Sequence, residues 1–376
     1  MTPGPVPLPQ KVREILAEPM IHHRTPEFER VLKSVNSKLK KTFLTSQPVF
    51  MHASTGSGAM ESSIVNTLNP GDKILSIVSG KFGERWREMA KRHGCEVISM
   101  DVPWGEAVSL EKLKTLLQNE KNLKAVLCQA CETSTATNHP IQQIAKLIRT
   151  LTPDTLFLVD AITGVGAMDL KTDEWGLDAV VSGSQKAFML PTGLSFITLS
   201  ERAWAANSKV KNVSYYFDLR LEKKMSEKGE TYFSSVVPYI RALDVVLDQL
   251  IDDQLNRTIR RCQLLADVTR RAGEKLGLQV FSKSPSDSVT ALVLPATVNG
   301  AALNGANFRD DLESHYNITV MGGQDQLKGK IIRIGHLGDI TNDDMVATFE
   351  ALAELLQKPA SEIEAIQQFV SRELSK

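Results

Sequence analysis

The stretch Ala179-Val-Val-Ser-Gly-Ser-Gln-Lys186 runs from strongly apolar residues into a single lysine. Residues 179–184 have the length and composition of a buried strand, and the small residues at its end leave room for a lysine side chain. Open α/β sheets bind their ligands at the carboxyl ends of the strands. The stretch therefore predicts an α/β fold with Lys186 at the ligand-binding edge of its sheet.

The sequence around this stretch alternates short apolar runs with amphipathic stretches. Two helices are expected first, at residues 10–18 and after the N-cap residue Thr25. Strands are then predicted at 48–53, 73–78, 96–102, 125–131, 155–161, 179–184 and 194–199, with helices at 59–68, 83–93, 110–117 and 141–151. This alternation is typical of a mostly parallel sheet covered by helices on both faces. We expect residues 15–260 to form this large domain.

The last third of the chain has a different pattern. Residues 238–277 have helical spacing, and after them come predicted strands at 288–294 and 330–335 and helices at 307–315, 343–357 and 360–372. A chain of 376 residues is also longer than one hydrophobic core usually supports. We therefore expect a smaller α+β domain at residues 261–376, with the N-terminal segment 1–14 packed near it.

Composition argues against several functional classes. Lys plus Arg and Asp plus Glu both number 44, so the formal net charge is zero, which is not typical of a nucleic-acid-binding protein. The first residues lack a basic segment followed by an apolar run, and no stretch reaches the roughly 20 apolar residues that cross a bilayer. These observations predict a cytoplasmic protein without nucleic-acid or membrane partners.

The chain has four cysteines, of which Cys128 and Cys131 form a C-x-x-C pair. A redox pair or half of a zinc site is one interpretation, but no second pair of Cys or His at ligand spacing completes a zinc site. An apolar run leads into Cys128, so the interpretation as small buried thiols is favoured. No metal is expected.

Asp160 follows the apolar residues Leu156-Phe-Leu-Val at the predicted end of a strand, where burying an unpaired carboxylate is costly. A lysine of lowered pKa can form a Schiff base with an aldehyde cofactor. The pyridinium nitrogen of pyridoxal 5′-phosphate (PLP) needs a nearby anion to stay protonated. Asp160 and Lys186 together therefore indicate a PLP site, with an N-cap or a structural ion pair as the alternative role for Asp160.

Two further segments suit a PLP site. Ser54-Thr55-Gly56-Ser57-Gly58 lies between a predicted strand and a predicted helix, where free backbone N–H groups can bind a phosphate. A plain glycine-rich turn is the alternative. Arg333 lies among isoleucines in a predicted strand, where it needs an acidic partner or a substrate carboxylate. A snorkelling arginine at the sheet edge is the alternative.

Four segments resemble the class V aminotransferases of PLP fold type I: Val159-Asp160, Ser182-Gly-Ser-Gln-Lys186-Ala, Gly80-Lys-Phe-Gly-Glu-Arg-Trp86 and Arg333-Ile-Gly-His. Two others are similar to the alanine–glyoxylate and serine–pyruvate branch, namely Pro3-Gly-Pro-Val-Pro and His22-His-Arg-Thr-Pro-Glu-Phe28. Each motif is weak alone, but together they cover essentially the whole chain in the family's order. The resemblance implies the type I fold, with a large domain and a smaller C-terminal domain.

The resemblance also implies a role for each matching position. Lys186 would carry the Schiff base, Asp160 would pair with the pyridinium nitrogen, and Arg333 would bind the substrate carboxylate. The other cofactor contacts would be Thr55, Gly56, Ser57 and Gln185 at the phosphate, Phe82 stacked on the ring, Ser134 near the phenolic oxygen and Ile162 beside the ring. A second subunit of a homodimer would complete the phosphate site from residues 231–235, through Ser234 or Ser235. Ser234 is chosen, although the family's usual Thr-Pro is missing there.

The implied activity is transamination with ping-pong kinetics, from alanine or serine to glyoxylate or pyruvate. Phosphoserine, phosphonate, ureidoglycine and aspartate transaminases remain alternatives, because a side-chain pocket cannot be read from one sequence. A cysteine desulfurase is disfavoured, since Gln185 stands where such enzymes usually have His, and the only later cysteine, Cys262, lies in a helical stretch. A cofactor-free binding subunit on this fold is also disfavoured, because Lys186, Asp160 and Arg333 are all present.

Overall fold

A computed structural model describes residues 1–211 and 214–376 of the chain. The described residues build one large and one smaller sheet, each with helices packed against it. Within these two ranges, no helix is both long enough and apolar enough to span a membrane.

The large sheet is built from the first 199 residues. The strands in chain order are β1 (Val49–His52), β2 (Lys73–Val78), β3 (Glu96–Asp101), β4 (Ala125–Gln129), β5 (Cys131–Glu132), β6 (Thr137–Asn138), β7 (Leu156–Asp160), β8 (Ala179–Gly183) and β9 (Ser195–Leu199). Seven of them form a sheet in the order β1-β9-β8-β7-β4-β2-β3, and β5 and β6 form a separate hairpin. All pairs from β8 to β3 are parallel, and only β9 runs against its neighbours.

Helices cover both faces of this sheet. The helices up to residue 275 are α1 (Gln10–Leu16), α2 (Pro26–Thr42), α3 (Gly56–Thr67), α4 (Lys81–Arg92), α5 (Leu110–Asn119), α6 (Ile141–Leu151), α7 (Glu201–Asn207), α8 (Leu219–Ser226), α9 (Val237–Leu247) and α10 (Asp252–Lys275). Successive residues of β7 enter different cores, because strand side chains alternate between faces. Phe157 and Val159 pack in one hydrophobic cluster, and Leu156 and Leu158 pack in another.

The smaller sheet is antiparallel and belongs to the C-terminal part. Its region contains β10 (Gln279–Val280), β11 (Val289–Val293), β12 (Thr297–Val298), β13 (Ala301–Ala302), β14 (Met321–Gly322) and β15 (Ile331–Gly335), with α11 (Gly305–Tyr316), α12 (Asn342–Leu355) and α13 (Ala360–Leu374). Four of these strands form the sheet, in the order β10-β11-β15-β14. A separate hydrophobic cluster, drawn from Leu265 to Leu374, packs beneath it. The expected α/β class with an additional α+β region is thus confirmed.

Two predicted elements end differently in the structure. The strand predicted at 125–131 stops at Gln129. Ala130 still donates its N–H to the Asp160 carbonyl of β7, but its own carbonyl accepts from His139, so the chain leaves the sheet there. The helical stretch 238–277 is divided into α9 and α10, and the break lies before Asp252, whose φ is +50°. No change in composition marks either point. The sequence does not predict the short elements β6, α7, α8, β10 and β12 to β14.

The carboxyl ends of the parallel strands meet at one edge of the large sheet. Gln129, the last residue of β4, pairs with Asp160, the last residue of β7, and Asp160 pairs with Val181 of β8. Helices α3 and α4 begin at the same edge, because they follow β1 and β2 directly. The ends of several strands and the starts of two helices therefore surround a common space.

Candidate active site

A cavity of about 300 Å³ lies at this edge of the large sheet. It is lined by Gly4, Thr55, Gly56, Ser57, Phe82, Arg85, Cys131, Thr133, Asp160, Ile162, Thr163, Gln185, Lys186 and Thr192. Most of the predicted cofactor contacts are in this set, which draws on residues far apart in the chain. We call it the active-site cavity.

Lys186 lies three residues beyond the end of β8 and is buried at the cavity wall. Its Nζ atom donates a hydrogen bond to the Pro3 carbonyl at 2.5 Å. The pKa of Lys186 is lowered to about 8, chiefly by burial and also by the nearby Arg333, while Cys131 and Asp160 act in the opposite direction. A substantial fraction of the amine is therefore neutral near pH 8, as a nucleophile or base requires.

Asp160 is a buried carboxylate without an ion-pair partner among the residues that the structure describes. One oxygen, Oδ1, accepts a hydrogen bond from the N–H of Ile162 at 2.9 Å. Burial raises the pKa of Asp160 to about 7, and the Ile162 hydrogen bond, Lys186 and Arg85 offset only part of this effect. A bound cation beside the carboxylate would remove the cost of ionising it.

Thr55, Gly56 and Ser57 form the start of α3 at another wall of the cavity. The first N–H groups of a helix have no partner within it, and the helix dipole attracts an anion to them. At Gly56 a side chain is excluded, because a Cβ atom there would lie 2.6 Å from Cδ1 of Ile162. Gln185 also lines the cavity, and its side-chain NH₂ group is a donor of the kind that a phosphate accepts from. This wall suits the phosphate of PLP.

Arg85 is a residue of this cavity that the sequence reasoning did not select. It donates to the Ser57 hydroxyl at 3.1 Å, and its guanidinium carbon lies 5.0 Å from the centre of the Phe82 ring. Spacing could have indicated it, because residues three apart in a helix share a face, and Phe82 was already identified.

Three predicted positions lie outside the cavity lining. The Ser134 hydroxyl is directed away, to Glu132 at 2.5 Å, and the neighbouring Thr133 lines the cavity instead. Arg333 is buried behind that wall, where its Nη1 donates to the Thr133 carbonyl at 2.9 Å and its Nε to Gly322 at 3.0 Å. Ser234 lines a different, narrow cavity that also contains His52.

The C-x-x-C pair is divided between two environments. Cys128 is packed in the hydrophobic core of the sheet, whereas Cys131 lines the active-site cavity. Both are buried free thiols whose pKa is raised by burial. Such thiols are poor nucleophiles and poor metal ligands.

These features fit PLP. The cavity offers an amine for the aldehyde, an uncompensated carboxylate for a pyridinium nitrogen, a helix start for a phosphate, and Phe82 and Ile162 as apolar groups for the ring. Each part of the cofactor thus has a group of matching chemistry, and all of these groups line a single cavity.

Comparison with known proteins identifies the class. Residues 12–238 match the aminotransferase class-V family, so the chain belongs to the class V aminotransferases and its cofactor is PLP. It is similar to L-aspartate–glyoxylate aminotransferase of Paracoccus denitrificans, with 34% identity over 94% of this chain and 89% of the relative. Serine–glyoxylate aminotransferase of Methylorubrum extorquens is 32% identical over 90% of this chain and 86% of that protein.

A solved structure agrees with this assignment. The alanine–glyoxylate aminotransferase of Nostoc sp. superimposes with a TM-score of 0.88 and 28% identity, over 95% of this chain and 94% of that chain. The resemblance noted in the sequence is thereby confirmed, and so is the type I fold.

Asp160→Asn should stabilise the cofactor-free protein at alkaline pH. The folded carboxyl has a pKa of about 7 rather than 3.8, so it holds a proton that the unfolded chain has already lost, and wild-type stability falls as the pH rises between these values. The neutral amide avoids this loss, so the gain in free energy of unfolding should grow between about pH 4 and about pH 7, be larger at about pH 8 than at about pH 5, and reach on the order of 4 kcal/mol at most.

Urea unfolding of both cofactor-free proteins at these two pH values measures the difference. Equal stabilities at about pH 8 would show that the carboxylate is already compensated in the empty cavity. As a control, added PLP should stabilise the wild type more than the variant, because only the wild type supplies an anion for the pyridinium nitrogen.

Proposed function

We propose that this aminotransferase moves the amino group of alanine or serine to glyoxylate or pyruvate by a ping-pong mechanism, as a cytoplasmic homodimer. The observation that carries the proposal is that Lys186 and Asp160, one an amine of lowered pKa and the other an unpaired carboxylate, line the same cavity. The division of the chain into units of 15–260 and 261–376 is part of the proposal. That boundary falls within α10.

The proposed chemistry is shared between the cofactor and the residues around it. When bound, PLP supplies a sink for the negative charge that develops at the substrate α-carbon. Lys186 would take the proton from the α-carbon and return it at the C4′ atom, and the Pro3 carbonyl, which accepts a hydrogen bond from its amine, would hold that amine at the cavity wall. Asp160 keeps the pyridinium nitrogen protonated, and the start of α3 with Gln185 binds the phosphate.

Arg333 is the proposed site for the substrate α-carboxylate. Its side chain is held by two carbonyl oxygens and no carboxylate pairs with it among the described residues, so its charge is free for a ligand. Burial lowers the pKa of Arg333, but an arginine remains protonated throughout the physiological range. The α-carboxylate is common to every amino acid, so this contact does not select one donor.

The preferred amino donor depends on whether a second cation binds the side chain of the substrate. The three named relatives share glyoxylate in their names and differ in the donor, which is aspartate, serine or alanine. Small donors need no second cation. Arg85, however, lines the cavity and makes aspartate a second candidate donor. Small donors and aspartate can be distinguished by their kcat/KM values.

The proposed homodimer rests on the surface around residues 231–235. Tyr215 and Tyr216 are exposed there, and Tyr216 lines the narrow cavity with Ser234. The Ser235 hydroxyl is already bonded to Thr231 at 2.6 Å, whereas no hydrogen bond of the described residues involves the Ser234 side chain. Ser234 is therefore the better candidate to reach the phosphate bound by a second subunit.

Lys186→Ala should abolish turnover while leaving measurable PLP binding through the phosphate contacts. Borohydride reduction of the wild-type holoenzyme, followed by peptide mass spectrometry, should place the pyridoxyl group on Lys186. A label on another lysine would assign the Schiff base elsewhere. Lys81→Ala, at a lysine already paired with Glu84 and Asp325, is the control variant and should keep the label.

Donor preference is tested by kcat/KM for alanine, serine and aspartate with glyoxylate as acceptor. Alanine or serine should exceed aspartate, and Arg333→Lys should lower all three alike, because an ammonium cannot reproduce the bidentate contact. An advantage of aspartate above about tenfold, or roughly 1.4 kcal/mol of transition-state stabilisation, would overturn the small-donor proposal. In that case Arg85→Ala should reduce the rate with aspartate selectively.

Ser234→Ala should weaken cofactor binding about tenfold or more, whereas the matched variant Ser235→Ala should not. Loss of one hydrogen bond to a charged phosphate costs about 1.5–3 kcal/mol, which is the physical reason for the expected effect. Equilibrium titration with PLP measures both variants. Sedimentation at assay concentration should show a species of twice 41.5 kDa, and a fully active monomer would exclude the shared site.

A further inference from the structure

Glu132 is a fully buried carboxylate that accepts hydrogen bonds from two separate segments. Its Oε2 accepts from the N–H groups of Phe82 at 3.1 Å and Gly83 at 3.0 Å. Its Oε1 accepts from the N–H of Ser134 at 3.1 Å and from the Ser134 hydroxyl at 2.5 Å. Every one of these donors belongs to an element that begins or turns at the active-site cavity.

The contact to Phe82 and Gly83 lies at the start of α4. This helix has Gly80 as its N-cap residue, and no side chain of that position caps it. Glu132, about fifty positions later in the chain, therefore supplies the missing acceptor, and its negative charge faces the positive end of the helix dipole. Gly80 is needed for this approach, because a Cβ atom there would lie 2.7 Å from Cδ of Glu132.

Two side chains from the first turns of α4 line the cavity. Phe82 and Arg85 both line the cavity, and they are the only lining residues contributed by α4 in the described structure. A shift or fraying of the first turn would move the Phe82 ring directly, because its own N–H is one of the bonds to Glu132. The hydrogen bonds that fix the backbone at the start of α4 therefore also fix the position of the Phe82 ring.

The second pair of bonds holds the turn between β5 and β6. Ser134 also accepts from the N–H of Lys81 at 3.0 Å, so its hydroxyl connects Glu132 to α4 a second time. Next to it, Thr133 lines the cavity, and its carbonyl accepts from Arg333. One carboxylate thus joins the start of α4 to the turn that supports the arginine.

We propose that Glu132 is a positioning residue that holds the Phe82 ring against the cofactor ring by capping α4 from the β5–β6 turn. This inference rests on the proposed function, since only there does Phe82 contact PLP. Glu132 does not line the cavity and touches no reacting atom, so it acts through Phe82.

Burial raises the pKa of Glu132, and the Ser134 hydroxyl and the backbone N–H groups of Gly83, Ser134 and Phe82 oppose this rise. A carboxylate can accept all four hydrogen bonds. A glutamine of the same shape cannot, because its NH₂ group would face either the α4 donors or the Ser134 donors. Glu132→Gln is therefore a substitution that removes half of the cap with almost no change in volume.

The matched control is Asp178→Asn. Asp178 is also a buried carboxylate, and it accepts from the Phe157 N–H, the Ser200 hydroxyl and Arg149. It lies before the start of β8, at the opposite end of that strand from Lys186. The control variant should lose stability in the same manner without affecting the cofactor.

The experiment follows the rate of PLP release from the holoenzyme and the visible circular dichroism of the bound cofactor. Glu132→Gln should release PLP about tenfold faster, the change that roughly 1.4 kcal/mol of lost interaction produces, and should reduce the dichroism. Asp178→Asn should lower the melting temperature but change neither signal. A general loss of stability alone would lower the melting temperature of both and leave the dichroism of both intact.

A double variant separates positioning from other roles. If Glu132 acts through the ring, Glu132→Gln should add little to the faster release already caused by Phe82→Ala. Additive effects would overturn the inference, and so would unchanged release in Glu132→Gln while Phe82→Ala releases PLP rapidly. A wild-type protein that binds no PLP would instead contradict the proposed function, so the two failures are distinguishable.

Discussion

The carboxylate of Asp160 is the constraint on which the rest of the site depends. Asp160 ends a fully buried strand in the middle of the parallel part of the sheet, and among the described residues a single backbone N–H is bonded to its side chain. Ionising such a group without a cation is costly, so the empty protein carries an unfavourable feature that a bound cation would remove. The fold therefore favours a positively charged ligand at a position where packing alone would favour an apolar side chain.

The other groups reach this carboxylate because of the direction of the strands. Parallel strands place all their carboxyl ends on one side, and each helix that follows begins there. The start of α3, the Phe82 ring at the start of α4 and the lysine beyond β8 therefore reach one cavity because of a single topology. β9 runs the other way, and its first residue, Ser195, is bonded to Ser54 at 2.8 Å, just before α3.

The sequence predicts the strands of the large sheet and the placement of Asp160 and Lys186 at or just beyond their carboxyl ends, for a physical reason. Asp160 and Lys186 stand next to apolar runs, so their position at strand ends is visible from local composition. Thr133, Arg85 and Glu132 are not visible in that way, because their significance arises from contacts with segments about thirty to fifty positions away. The early end of β4 is equally hidden, since it depends on a backbone hydrogen bond from His139 to the Ala130 carbonyl.

The first six residues connect parts of the molecule that are otherwise distant in the chain. The Met1 carbonyl accepts from Gly335 at the end of β15, the Pro3 carbonyl accepts from Lys186, and Val6 donates to the carbonyl of Gln185. Gly335 has no room for a side chain, because a Cβ atom there would lie 2.3 Å from the Thr2 carbonyl. This segment thus links the small sheet, at Gly335, to Lys186. A displacement of one sheet relative to the other would therefore move the carbonyl group that accepts the hydrogen bond of the Lys186 amine, so a direct covalent path links the small sheet to the environment of this nitrogen.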